Sequence, residues 1–322
     1  MLDGEKMNRL RIKKVAVIGA GMMGKCIGLE FARFGYKVVL HDLLDEQLEK
    51  SLRSVQEELD LMVEAELISS DVARAALGRL RTTTDIAEAA SGADHIVEAV
   101  PEDLALKQEL FARLDELCPA HVSLATNTSL LKVDDCAAKA RNFPGRILGT
   151  HYWEPAHLMP LVEVIGGKRT DPAVLRRVAE LLGSVRKRVV IQERELPTSP
   201  AGWGNALQWV MGEQARKLIN EGGCTPHLVD DLIRFGFGRR TAYTARYIGM
   251  DLIGLDLAYN LMKAKGQEPW GPVKERVERG ELGMKTGKGF YDWSGDKAKQ
   301  FLRDFHLELI RLLKRDMERG DI

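Results

Sequence analysis

The sequence predicts an α/β N-terminal domain carrying an inserted helical hairpin, followed by an all-helical C-terminal domain. Three observations lead there. Short apolar, β-branched runs alternate with helix-periodic stretches as far as Ile191. One early segment, Asp45 to about Leu80, has no strand signal at all. After Ser199 the strand signals stop and only amphipathic helical spacing continues.

The first element is the run K-K-V-A-V-I-G at 13–19, which stops at glycine as a buried parallel strand does. A helix carrying Cys26, Ile27, Leu29, Phe31, Ala32 and Phe34 follows and ends at Gly35. It gives way to a second strand, Tyr36 to Leu40, so the unit reads β-α-β. In the segment from Asp45 to about Leu80, leucines and valines recur at helical spacing with a break near Ile68 to Asp71. Ser69 or Ser70 suits the cap of a second helix there. Further strands are expected at Arg81–Thr84, His95–Val100, Val122–Ala125, Ile147–Thr150, Leu161–Ile165 and Arg188–Ile191. Helices are expected over Asn205–Asn220, Leu228–Arg234, Leu252–Lys263 and Lys297–Met317, the last with Phe301, Phe305, Leu309 and Leu312 on one face. The proline-bearing turn from Glu195 to Pro200 sets the boundary, giving domains 1–197 and 198–322.

Among the 322 residues, 47 Lys and Arg balance 47 Asp and Glu, so no net field holds a polyanion and nucleic acid is not an expected partner. No apolar run approaches the roughly 20 residues of a membrane helix. The first ten residues lack the apolar core of a signal peptide, so a soluble, cytoplasmic protein is expected. Cys26, Cys118, Cys136 and Cys224 have no C-x-x-C spacing and read as free thiols. No metal site is expected, because His151 and His157 lie on an irregular, proline-flanked segment without a partner carboxylate at helical spacing.

Gly19-Ala20-Gly21-Met22-Met23-Gly24 directly follows the first strand and opens the helix. In a G-x-G-x-x-G loop the first glycine permits the turn and the second lets backbone approach a pyrophosphate. The third allows close helix–strand packing, and the helix N-terminus offers unpaired N–H groups to the phosphates. Asp42 ends the second strand where a ribose-binding carboxylate belongs. It would accept the 2′-hydroxyl and repel a 2′-phosphate, and no Arg stands at Leu43 or Leu44, so NAD is expected over NADP.

Downstream, His151 ends one strand, and Glu163 interrupts the apolar run Leu161–Ile165. A buried ionised Glu needs a partner. Side by side, the two strands would pair them, with Glu163 fixing the imidazole tautomer. A satisfied core histidine and a solvent-facing glutamate on an edge strand fit the residues equally well.

Taken in order, these segments resemble the L-3-hydroxyacyl-CoA dehydrogenase family over nearly the whole chain. The family pattern is matched by the glycine loop and by Glu98-Ala99-Val100-Pro101-Glu102 through Lys107. It continues in Asn127-Thr128-Ser129, His151 through Val164, Pro200 through Asn205, and Gly287-Lys288-Gly289-Phe290-Tyr291. The resemblance implies a Rossmann-type NAD domain and a helical domain for substrate and dimerisation. It implies His151 as acid/base, Glu163 as its orienting partner, and Ser129 and Asn205 on the reacting oxygen or the nicotinamide side. Ala99, Glu102, Lys107 and Asn127 would line the cofactor site. The implied reaction removes a proton from a 3-hydroxyl while hydride passes to nicotinamide.

Several positions depart from that pattern. Glu154 stands where an asparagine is usual, the P-G-F segment reads Pro200-Ala201-Gly202-Trp203-Gly204-Asn205, and Ala206 replaces an arginine. The hairpin carries Glu57, Glu58, Asp60, Glu64 and Glu66 where CoA users often carry lysines; these would repel CoA phosphates, or form a solvated face with no bearing on substrate. The stretch Pro155 to Leu161 resembles relatives acting on small free hydroxy acids. A CoA thioester, a small CoA-free hydroxy acid of carnitine or gulonate type, and an inactive NAD-binding protein are the readings in descending order. His157 is a pocket or loop histidine, and of Trp203 and Trp209 at least one is expected in core packing.

Overall fold

The computed structural model describes residues 12–196 and 202–322. The boundary read from the sequence, between 197 and 198, lies outside the described residues. By packing, the chain divides into two compact units, Met1–Met211 and Gly212–Ile322, a division that falls within the helix Trp203–Asn220.

The first unit is built on one eight-stranded sheet in the order β3-β2-β1-β4-β5-β6-β7-β8. The strands are β1 Lys14–Ile18, β2 Lys37–His41, β3 Leu80–Thr83, β4 His95–Glu98, β5 Ser123–Thr126, β6 Ile147–Tyr152, β7 Leu161–Ile165 and β8 Arg188–Gln192. All eight expected strands form, most displaced by a residue or two at an end. Neighbours pair in parallel except β6 and β7, which are antiparallel. The apolar runs lack alternation because helices cover both faces: Val15 and Val17 pack with Ile27, Phe31 and Leu181, whereas Ala16 and Ile18 pack with Ile96, Phe111 and Leu114.

Those helices are α1 Met22–Arg33, α2 Asp45–Glu64, α3 Ser70–Arg79, α4 Ile86–Ala90, α5 Leu104–Leu117, α6 Val133–Cys136 and α7 Pro172–Ser184. α2 and α3 are the expected hairpin, and Ser69 caps α3 by accepting the Val72 N–H at 3.3 Å. From β1 the chain moves outward to β2 and β3, then returns to β4 on the other side of β1. Such a switch point opens a crevice at the carboxyl ends of the strands. The segments that follow β1, β2, β4 and β5 all leave the sheet at that edge.

In the second unit the expected helix over 252–263 is broken. Gly254, at φ +98, separates Tyr247–Ile253 from Leu255–Ala264, and a Cβ there would lie 2.7 Å from Asp256 Oδ1. The helix expected at 228–234 runs instead over Pro226–Asp231, capped by Thr225, and passes into a π turn at Leu232–Phe237. Gly238–Thr244 and Gly271–Glu278 are further helices with too few apolar marks to stand out in the sequence. The long helix Lys297–Arg319 forms as expected, with Phe301 and Phe305 each 5.4 Å from the Tyr243 ring. Asp251 explains the terminal G-K-G-F-Y segment in packing terms. Fully buried, it accepts the N–H groups of Phe290 at 2.9 Å and Tyr291 at 3.0 Å and the Trp293 indole N–H at 2.8 Å.

Candidate active site

The glycine loop sits at the switch point. Gly19, at φ +96, adopts a conformation that L side chains rarely take, and a Cβ there would meet the Ala99 carbonyl oxygen at 2.6 Å. A Cβ on Gly24 would overlap the Gly19 carbonyl oxygen, so only glycine lets α1 start so close to β1. Around Gly21 the space is open, and a methyl added there would meet nothing within 4 Å. Gly21 is also the N-cap of α1 and supplies no side-chain cap, which leaves first-turn N–H groups for an anion. A pyrophosphate fits this cradle. The loop is held from behind, since Ala20 donates its N–H to Asp42 Oδ2 at 2.9 Å. Its carbonyl accepts from Gln47 Nε2 at 2.9 Å and from the Ser51 hydroxyl of α2. Asp42 Oδ1 takes no hydrogen bond among the described residues. Met22 is exposed and Met23 partly so.

After β4, a compact charge cluster shapes the next loop. Lys107, buried on α5, lies 2.6 Å from Glu98 Oε1 and 3.2 Å from Glu102 Oε2. Burial pushes the Glu98 carboxyl above its usual range even against that ammonium. Glu102 is partly exposed; what burial it has would by itself raise its carboxyl, but the Thr128 hydroxyl and Lys107 outweigh it and hold it low. Its Oε1 also accepts the N–H groups of Ser129 at 3.1 Å and Leu130 at 2.9 Å. Glu102 therefore fixes the backbone of the N-T-S segment. Lys107, its ammonium spent on two carboxylates and the Val100 carbonyl, reaches that segment only through Glu102. Asn127 Oδ1 accepts the Tyr152 N–H at 3.0 Å and ties the segment to β6.

His151 and Glu163 face each other across the antiparallel β6–β7 pair, and both are buried. His151 Nδ1 lies 2.9 Å from Glu163 Oε2. Burial of the Glu163 carboxyl works against its charge. The His151 hydrogen bond and the N–H groups of Gly204 and Trp203 more than offset it and keep the group below its usual range. An ionised Glu163 accepts from Nδ1–H, so Nε2 carries the lone pair. That nitrogen is 3.4 Å from Asn205 Nδ2, which also donates to the Ser129 carbonyl at 2.9 Å. Ser129, His151 and Asn205 thus converge at one spot, the first lying after β5 and the second at the end of β6.

Two glycines and a glutamine that residue type does not single out surround Glu163, and His157 anchors the loop nearby. Gly202, at φ +114, and Gly204 bring backbone so close to Glu163 that a Cβ would stand 2.7 and 3.1 Å from Oε2. Gln192, buried on β8, donates to Glu163 Oε1 at 2.7 Å. His157 is buried and bound through Nε2 to Glu58 Oε2 at 3.0 Å, so one hairpin carboxylate fastens the loop after β6. Trp203 and Trp209 are 42% and 52% exposed, and neither joins the core, contrary to expectation. Among the described residues no group of three His, Cys, Asp or Glu side chains is placed to hold a metal, and no helix is long and apolar enough to cross a membrane.

A Rossmann-type sheet with a glycine cradle at its switch point and an imidazole–carboxylate pair at the same edge defines a dinucleotide-dependent dehydrogenase. Comparison with known proteins agrees. Residues 14–195 match the family profile described as 3-hydroxyacyl-CoA dehydrogenase, NAD binding domain, and residues 203–293 match 3-hydroxyacyl-CoA dehydrogenase, C-terminal domain. A probable 3-hydroxybutyryl-CoA dehydrogenase of Bacillus subtilis is 31% identical over 88% of this chain and 98% of its own length. The crystal structure of a 3-hydroxyacyl-CoA dehydrogenase from Archaeoglobus fulgidus, 29% identical, superposes with a TM-score of 0.76 over 94% of this chain and 99% of that one. The 5-formyl-3-hydroxy-2-methylpyridine 4-carboxylate 5-dehydrogenase of Mesorhizobium japonicum is 26% identical over 89% of this chain and 93% of its own length. The chain belongs to the 3-hydroxyacyl-CoA dehydrogenase family and is an NAD-dependent oxidoreductase.

Proposed function

We propose that the protein interconverts a 3-hydroxyacyl and a 3-oxoacyl compound, a CoA thioester foremost, with His151 as the acid/base. The observation that carries this is the two-sided setting of one imidazole. Nδ1 is pinned to Glu163, and Nε2 points to the Asn205 amide beside the Ser129 backbone. NAD, when held at the glycine loop, would supply the hydride acceptor for the carbinol carbon. His151 Nε2 takes the hydroxyl proton as the C=O bond forms, and Glu163 stabilises the resulting imidazolium. Asn205, with Ser129 beside it, steadies the reacting oxygen. In the reverse direction the same imidazolium returns the proton. Residues 1–197 serve the cofactor, with Gly19, Gly21, Met22, Met23, Gly24, Asp42, Ala99, Glu102, Lys107 and Asn127 lining or shaping its site. Residues 198–322 serve substrate and dimerisation.

CoA is favoured because the Bacillus subtilis relative is named for 3-hydroxybutyryl-CoA and the matched profiles carry the same chemistry. The hairpin carboxylates weigh less against it than their charge suggests. Glu58 is engaged with His157, and Glu57, Asp60, Glu64 and Glu66 are exposed to solvent. A CoA-free substrate is the second reading, supported by the Mesorhizobium relative, which is named for a pyridine carboxylate. Following nicotinamide absorbance with NADH and acetoacetyl-CoA decides between them. No oxidation there, with turnover of carnitine- or gulonate-type substrates, sinks the CoA reading.

Asp42→Ala is expected to relax the preference for NAD over NADP by about tenfold or more, since one carboxylate near a 2′-phosphate costs roughly a kcal/mol or two. Unchanged kcat/KM ratios for the two cofactors remove Asp42 from that role.

A homodimer fits the apolar stripes that a single chain leaves uncovered. Leu207, Val210 and Met211 lie on one helix, and Ile310, Leu313 and Met317 on the last. Sedimentation at micromolar concentration should show two chains, and a monomer overturns this. Four free cysteines, three of them buried, support a reducing, cytoplasmic compartment, which cell fractionation tests.

A further inference from the structure

Glu163 is surrounded by donors of two kinds. The backbone N–H groups of Trp203 and Gly204 come with the chain path. Gln192 is a side chain placed for the purpose, reaching across from β8. Strand register puts it there: Glu163 is opposite Val190, so Gln192 is its diagonal neighbour on the same sheet face. Its Nε2 is 2.7 Å from Glu163 Oε1, while Glu163 Oε2 is the oxygen that meets His151.

The other end of the same amide offsets what the donor end gains in stability. Gln192 is fully buried, and its Oε1 meets no donor among the described residues. An unpaired buried carbonyl costs on the order of 1–3 kcal/mol, about what the charge-assisted bond to an ionised Glu163 returns, so the residue adds little net stability. Reversing the amide to pair its oxygen would aim that oxygen at a carboxylate, so only the donor end accounts for the residue.

We propose that Gln192 is a positioning residue for proton transfer, holding Glu163 Oε1 so that Oε2 is presented to His151 Nδ1. This rests on the reading of His151 as the acid/base. Without the amide, Glu163 turns more freely about its terminal torsion and carries less stabilised negative charge. The unscreened charge favours the protonated imidazole, whereas alcohol oxidation needs the neutral one. The groups facing His151 and Glu163 in this balance are Gln192, Asn205 and the Gly204 and Trp203 N–H groups.

The test is Gln192→Met in the full chain, read by pH–rate profiles and thermal melts. We expect kcat to fall about tenfold, the scale on which partners one step behind a reacting group act. The acid limb of kcat/KM for alcohol oxidation should move to higher pH by about half a unit. KM for NAD should stay within about twofold, and the melting temperature should change little. A lower melting temperature with an unmoved pH profile means a structural role and overturns the proposal. Gln192→Glu is the second variant, since a carboxyl donates only while protonated. Its activity should fall as pH rises, through a limb that the parent lacks, and absence of that limb also overturns the proposal. Parallel assays of His151→Gln and Glu163→Gln separate the two levels: if either retains full activity, the underlying reading fails whatever Gln192 does.

Discussion

His151→Gln is expected to lower kcat by on the order of 10³-fold while NADH affinity stays within a few-fold. Glutamine keeps a polar side chain of similar reach, so Glu163 retains a donor and the fold has no new buried orphan. What is lost is the lone pair on Nε2, the atom placed beside the Asn205 amide to take the substrate proton. The cofactor cradle, formed after β1 and β4, does not touch this residue in any hydrogen bond of the described chain. Steady-state rates paired with fluorescence titration of NADH separate the two effects, and equal loss of both contradicts the assignment.

The second large effect is a contrast within the glycine loop. Gly24→Ala should cost stability and cofactor binding together, because the added methyl would overlap the Gly19 carbonyl oxygen and backbone cannot step aside as a side chain can. Overpacking of this kind costs about 1–3 kcal/mol or more. Gly21→Ala should behave differently. Its φ of −70 suits alanine and nothing lies within 4 Å, so the melting temperature should hold. The methyl would occupy space that a pyrophosphate needs, and NADH affinity should fall by about 100-fold or more, the equivalent of roughly 3 kcal/mol. Retention of normal NADH binding by Gly21→Ala would show that the cradle lies elsewhere.

Much of this is legible in the sequence because the sheet is buried on both faces. Runs such as Val15–Ile18 and Val162–Ile165 need no alternation to be recognised, and a hairpin capped by Ser69 announces itself through its polar break. The His151–Glu163 pairing is readable for a physical reason as well, since an acidic residue inside an apolar strand demands a partner. What escapes reading depends on long-range placement. Gln192 falls just past the expected strand Arg188–Ile191 and carries no signal until edge strand β8 is known to lie beside β7. Lys107 looks like a cofactor ligand until Glu98 and Glu102 are seen to absorb its charge. Glu58 looks like a surface charge until His157 comes within 3.0 Å, and Trp203 and Trp209 look like core residues until no core is found around them. The helix expected over 252–263 starts three residues late, at Leu255, because a single glycine leaves an apolar period intact while its backbone interrupts the helix.

The one reversal of direction in the sheet has a further consequence. The ladder from Gly149↔Ile165 to Tyr152↔Val162 sets the register of His151 against Glu163 by backbone hydrogen bonds alone. The intervening segment, 153–160, closes the turn and is anchored apart from the ladder, through His157 to Glu58 and through the Ala156 and Met159 carbonyls to Lys187. Its residues can therefore diverge, lengthen or exchange charge, as Glu154 does, without displacing imidazole from carboxylate. The imidazole–carboxylate pair is thus built into the ladder, and its register does not depend on the identity of the residues in the turn that joins it.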